Sequence, residues 1–160
     1  MNKRFRPIPN FEVCVFIDGF VYLDKLKRKG FGISKKEQEE LGTTETHQWR
    51  NSVLVVIPLR LGLESVSSDY FSGLKQCFEF PETMGIVGGK PSSAMYFVGV
   101  QDDSFILLDP HYVQSAVKDR KELIDKSSTY HCKIARRLEL ENMDTSLACG
   151  YAVHASGGHV

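Results

Sequence analysis

The sequence predicts an α+β fold, an antiparallel-rich sheet with flanking helices. Three observations carry that expectation. Short runs rich in Val, Ile and Phe have the length of strands, two other stretches carry apolar residues at helical spacing, and two of the strand-like runs are joined by a hairpin signal. A chain of 160 residues suits one domain spanning 1–160. It can bury ~70% of its unfolded surface without disulfides or metals.

The elements follow in order. FEVCVFIDG (11–19) is rich in Val, Phe and Ile and reads as a buried strand. In FVYLDKLKRKG, Phe20, Leu23, Leu26 and Lys27 share a helical face, with Gly30 as the stop. SKKEQEEL (34–41) starts at Ser34 with Glu37 three positions on, a capping box on a short solvated helix. GTTETHQ (42–48) reads as a polar loop. VLVVIPLRL (53–61) is apolar on both faces and belongs inside a covered sheet, with Pro58 at its end or at a bulge. SVSSDYFSGLKQCFEF predicts an amphipathic helix capped by Ser67 or Ser68. Its stripe is Tyr70 or Phe71, Leu74, Cys77 and Phe78, and Pro81 ends it. GIVGGKPSSA (85–94) reads as a glycine-rich loop. AMYFVGV and SFILLD form a hairpin around Gln101–Ser104. KDRKELIDKSS (118–128) is a short helix or a loop, and SLACGYAV (146–153) a last buried strand.

Composition narrows the function. Twenty Lys plus Arg balance twenty Asp plus Glu, giving a net charge of +0, which disfavours a generally basic nucleic-acid binder. The start, MNKRFRPIPNFEV, has no apolar core before its prolines, so no secretory signal is expected. The most apolar run, VLVVIPLRLGL, is broken by Arg60 and is far short of the ~20 residues of a membrane span. Four cysteines without a Cys-x-x-Cys pair read as reduced, partly buried thiols.

The strongest chemical signal is FILLDPH. Asp109 and His111 lie two apart at a strand end, where extended backbone points both to one side and Pro110 stiffens the bridge. A carboxylate beside an imidazole is what a general base and its orienting group require, although Asp-Pro is also common in plain turns. GIVGGKP is not a phosphate loop: Met84 stands where the first glycine belongs and Pro91 where a Ser or Thr does. It reads instead as a mobile lid over Gly88, Gly89, Lys90, Pro91, Ser92 and Ser93. His131, Cys132, Cys149, His154 and His159 match no paired zinc-ligand pattern, so no metal site is expected. Cys14 sits inside an apolar strand with no base beside it, and Trp49 reads as a partial core anchor.

IPLRLGLESV, then CFEFPETMGIVGGKPSSAMYFVG, then FILLDPHYVQ, in that order, resemble the autophagins, autophagy-related cysteine proteases of papain-like fold. The likeness continues through YHC (130–132) and LENMDTSLACGYAV, and weakly back through FEVCVFIDG. It implies a Cys-His-Asp triad in which His111 is the base and Asp109 its orienter, with the lid matching Lys90-Pro91-Ser92-Ser93. It implies no cofactor. The implied substrate is a ubiquitin-like autophagy modifier, processed at its C-terminus in the cytoplasm and released from phosphatidylethanolamine at membrane surfaces. A position after the lid that is often histidine in the family is Met95 here, with no catalytic consequence attached.

The family's nucleophile follows Gly-Trp-Gly, whereas Trp49, the one tryptophan here, is followed by Arg50. The resemblance therefore implies the C-terminal part of the peptidase domain, an incomplete papain-like fold carrying the His and Asp but not the nucleophilic Cys. No peptidase activity is expected of these residues alone. The rivals are a noncatalytic relic that binds the modifier, and a hydrolase using Cys14 or Cys149.

Overall fold

The computed structural model describes residues 8–34, 36–37 and 48–154. The strands are β1 (Phe11–Val15), β2 (Ser52–Arg60), β3 (Thr83–Lys90), β4 (Ser93–Gln101), β5 (Ser104–Leu108), β6 (Arg136–Glu139) and β7 (Ser146–Val153). The described helices are α1 (Leu23–Phe31), α2 (Phe71–Gln76) and α3 (Arg120–Lys126). The strands make one sheet in the order β1-β2-β7-β3-β4-β5-β6. The β1–β2 pair, linked through α1, is parallel, and every other pair is antiparallel. The expected antiparallel-rich α+β sheet is therefore present.

Register sorts the side chains. Ile57, Cys149, Ile86, Phe97 and Leu107 stand opposite one another across β2, β7, β3, β4 and β5. Direct cross-strand partners share a face, so this row belongs to one side of the sheet. That side holds the core. Phe97, Phe105, Ile86, Leu147 and Leu140 pack there with Leu74 of α2, and Phe71, Cys77 and Phe78 close over them. Phe105 touches both Phe97 and Phe78, with ring centroids 5.0 and 5.4 Å away. Cys14, Phe16, Val53 and Val55 form a second cluster under Leu26 of α1 and Trp49.

Several elements differ from the sequence reading. Gly30 does not stop α1 but lies buried inside it. A Cβ there would stand 2.3 Å from the Trp49 ring, so the indole needs a glycine beneath it. The stop is Gly32, whose φ of 69° closes the helix as a left-handed cap. Phe20, which precedes α1, and Leu23 stay exposed, while Leu26 packs against the second cluster. Pro58 lies within β2, opposite Ala148. It is past Val56, the last residue paired with β1, where β2 has one open side and can spare an amide donor. α2 is entered through a 3₁₀ turn (Ser68–Tyr70) capped by the Ser67 hydroxyl, and it ends at Gln76, before Pro81. The Ser34–Glu37 capping box forms, each side chain accepting from the other's backbone N–H at 3.2 and 2.7 Å. The rest of that segment (35 and 38–41), and the polar loop except residue 48, lie outside the described residues.

The largest change concerns 85–94. The glycine-rich loop is β3 running into β4 through the two-residue turn Pro91-Ser92, with Lys90 paired to Ser93. The expected irregular lid is a regular hairpin end.

Candidate active site

Asp109 and His111 follow the end of β5. The expected side-by-side placement is found, but an extended strand does not produce it: Pro110 and His111 form a turn. The Asp109 Oδ1 accepts the His111 backbone N–H at 3.0 Å and meets its Nδ1 at 2.6 Å. This is an Asx-type turn, in which a short acidic side chain brackets the amide two residues on. The Nδ1 contact commits that nitrogen to the carboxylate and leaves Nε2 for other chemistry. The His111 side chain is 53% exposed and that of Asp109 only 16%, so the carboxylate is sheltered beneath an accessible ring.

Arg136 of β6 donates from Nη1 to Asp109 Oδ2 at 2.7 Å. Three donors thus converge on one carboxylate. The His111 backbone N–H contributes most, then the His111 ring and the Arg136 guanidinium, and together they hold the Asp109 carboxyl below the usual carboxylate range. Sequence reasoning missed Arg136. The pair Arg136-Arg137 was visible, but nothing local says which of the two faces Asp109.

His111 opens onto a groove of about 510 Å³ walled by Gly88, Lys90, Ser92 and Ser93 on one side and by Asp144 and Ser146 on the other. The β3–β4 hairpin end therefore sits beside His111, where the sequence placed its lid, but in regular structure. Gly89 makes this end possible. At its φ of +145° a Cβ would come 2.1 Å from the Ser93 carbonyl oxygen. The Gly89 carbonyl accepts the Asp144 N–H at 2.7 Å, tying the hairpin to the segment before β7. A second cavity, about 440 Å³, lies against Asp109 and Arg136 and is lined also by Tyr112, Tyr130, His131 and Cys132.

No cysteine lines the His111 groove among the described residues. Cys14, on β1, is buried in the cluster with Phe16, Val53 and Val55. Cys149, on β7, is buried beside Cys77 and Tyr151. The Cys149 thiol, and after it the Tyr151 hydroxyl, donate to the Cys77 sulfur and lower its pKa to about 6, while burial opposes them. Donation to Cys77 and burial push Cys149 up. Cys77 is half-buried at the end of α2, where it closes over the core, and it does not line the His111 groove. The candidate zinc residues do not converge: His131 and Cys132 border the second cavity, Cys149 is in the sheet, His154 follows β7, and His159 lies outside the described residues. Among the described residues no three His, Cys, Asp or Glu side chains cluster as metal ligands. No described helix is long and apolar enough to cross a membrane.

The family profile of the Peptidase C54 catalytic domain matches residues 2–157. Similar proteins include "Cysteine protease ATG4a" of Arabidopsis thaliana, 46% identical over 100 residues that cover 62% of this chain and 21% of that protein. "Cysteine protease ATG4B" of Oryza sativa subsp. indica is 45% identical over the same shares. "Cysteine protease ATG4" of Medicago truncatula is 42% identical over 62% of this chain and 20% of its own length. The matched part of the chain thus spans about a fifth of the length of these relatives.

Proposed function

Because the chain belongs to the peptidase C54 family, the autophagin cysteine proteases, we propose that it supplies the base and the orienting carboxylate of a thiol protease acting on a ubiquitin-like autophagy modifier. The single observation that carries this reading is the 2.6 Å contact between Asp109 Oδ1 and His111 Nδ1 at the edge of an open groove. In the reading, the sheet is one part of a papain-like fold. The nucleophilic thiol comes from a segment outside these 160 residues. The Lys90–Ser93 hairpin end borders the channel for the modifier's C-terminal tail.

The chemistry follows from the ring nitrogens. With Nδ1–H donating to Asp109, Nε2 carries a lone pair and takes the proton of the cysteine thiol. The thiolate attacks the carbonyl of the modifier's terminal glycine, and the C–N bond to the leaving group breaks as the imidazolium returns its proton to that nitrogen. The leaving amine is the peptide nitrogen of a C-terminal extension, or the ethanolamine nitrogen of phosphatidylethanolamine at a cytoplasmic membrane surface. Water, activated by the same Nε2, then hydrolyses the thioester and releases the glycine carboxylate. Asp109 stays ionised throughout and stabilises the imidazolium.

The test is cleavage of a modifier bearing a C-terminal extension, followed by mass shift. The chain alone is expected not to cut. Joined to or mixed with the nucleophile-bearing segment of a C54 relative, it should cut. His111→Ala should then lower turnover by about 10⁴-fold or more, and Asp109→Ala by about 10²-fold or more. Turnover by the 160-residue chain alone that depends on His111 would place the nucleophile among its own cysteines and sink the reading. A complemented chain that binds the modifier and leaves it intact would make it a noncatalytic binder.

A further inference from the structure

In the β5–β6 pair, Leu107 stands opposite Arg136 and Ile106 opposite Arg137. Opposite residues share a face and successive residues alternate, so Arg136 is on the side of Leu107 and Arg137 on the other. Asp109 lies two residues beyond Leu107, within diagonal reach of a long side chain on that same side. Arg136 takes the position: its Nη1 donates to Asp109 Oδ2 at 2.7 Å. Oδ1 is left to the His111 amide and Nδ1, at 3.0 and 2.6 Å. Each carboxylate oxygen therefore has its own partners. The terminal torsion of an aspartate is broad and two-fold, so a carboxylate held at one oxygen only can rotate away from the ring.

We propose that Arg136 is a positioning residue of the proposed reaction: its guanidinium locks the Asp109 carboxylate by Oδ2, keeps Oδ1 on His111 Nδ1, and so keeps Nε2 the proton-accepting nitrogen. The inference rests on the Asp109–His111 reading of the preceding section and extends the orienting machinery to a third member 27 residues away. An arginine suits the task because its planar fork holds a direction, where an ammonium is a point charge. Its side chain is half exposed and borders the second cavity, so the guanidinium keeps its water while directing the acid. Arg137, next to it in the chain and facing the other way, is an internal control.

Two measurements test it. In the ¹⁵N-labelled 160-residue chain, long-range proton–nitrogen spectra at mildly alkaline pH report which His111 nitrogen carries the proton. The wild type should hold the Nδ1–H form. Arg136→Met should raise the Nε2–H form by about threefold or more, Arg136→Lys should fall between, and Arg137→Met should match the wild type. In the complemented enzyme, Arg136→Met should lower kcat about tenfold with KM within about twofold, and Arg137→Met should change neither. Wild-type tautomer ratio and kcat in Arg136→Met would overturn the proposal. An Asp109→Asn control separates the two failures. If it abolishes the Nδ1–H form while Arg136→Met does not, Arg136 alone is dismissed. If it leaves the ratio unchanged, the Asp109–His111 reading falls, and this inference with it.

Discussion

Asp109 shows how much one residue can be asked to do. It brackets the His111 amide as a turn former, anchors the ring as an orienting acid and pairs with Arg136. The orienting role was legible in Asp-Pro-His because it joins residues two apart, and the turn only as the plain reading that competed with it. The third was not, because it depends on which strand lies beside β5. The lowered pKa of Asp109 sets the sign of a pH effect. A carboxyl whose folded value lies below its unfolded value, ~4, contributes stability that is present above the unfolded value and is lost as pH falls through the folded one. Asp109→Asn should therefore lower stability to denaturant at pH 7, and the difference from wild type should shrink towards pH 3. A difference that is constant across that range would show that the ionised carboxylate contributes nothing.

The β3–β4 hairpin carries the corresponding lesson for elements. Glycines and a proline in GIVGGKP suggested an irregular, mobile segment, since nothing local separates a glycine-rich loop from a glycine-rich strand. The sheet decides it. β3 runs between β7 and β4: Thr83–Val87 pair with β7, and Ile86–Lys90 pair with β4. Gly88 and Gly89 are then needed for close approach: a Cβ on Gly88 would meet the Phe97 ring at 3.1 Å, and one on Gly89 the Ser93 backbone at 2.1 Å. Gly89→Ala should destabilise the chain by about 2 kcal/mol or more, since it combines a strained φ with a backbone clash. It should also disturb the His111 groove, whose wall it forms. Thermal unfolding together with His111 ring resonances would check this, and an unchanged midpoint would show that the hairpin end is looser than described. α2 was better legible, because Ser67 and the Phe71, Leu74, Cys77 and Phe78 spacing are local.

Across the whole molecule, the sheet has two unlike faces. The row Pro58, Ala148, Val87, Tyr96 and Leu108 crosses β2, β7, β3, β4 and β5 opposite to the core row, and Val13 and Val15 of β1 continue that side. Val13, Val15 and Val87 remain 46%, 40% and 53% exposed on it. Contiguous exposed apolar surface of this kind drives association in water. The isolated chain should therefore self-associate as concentration rises, and Val13→Lys with Val87→Lys should reduce that association while leaving the midpoint of unfolding within a few degrees. Sedimentation velocity across a concentration series tests it. A chain that stays monomeric without the lysines would mean that this face is satisfied as it stands.

The amino-acid sequence by itself determined the α+β class, five of the seven strand segments, the capped α2, the Asp109–His111 pair and the resemblance to the autophagins. Each of these rests on residues near one another in the chain: side-chain period, caps, a two-residue turn, or a motif read in order. Tertiary structure alone decided that β7, last in sequence, lies inside the sheet between β2 and β3, that Cys77 meets Cys149, and that Arg136 rather than Arg137 holds Asp109. Those outcomes depend on strand order and register. A shift of one residue in register exchanges the two faces of a strand, and no local pattern in the arginine pair distinguishes the two alignments.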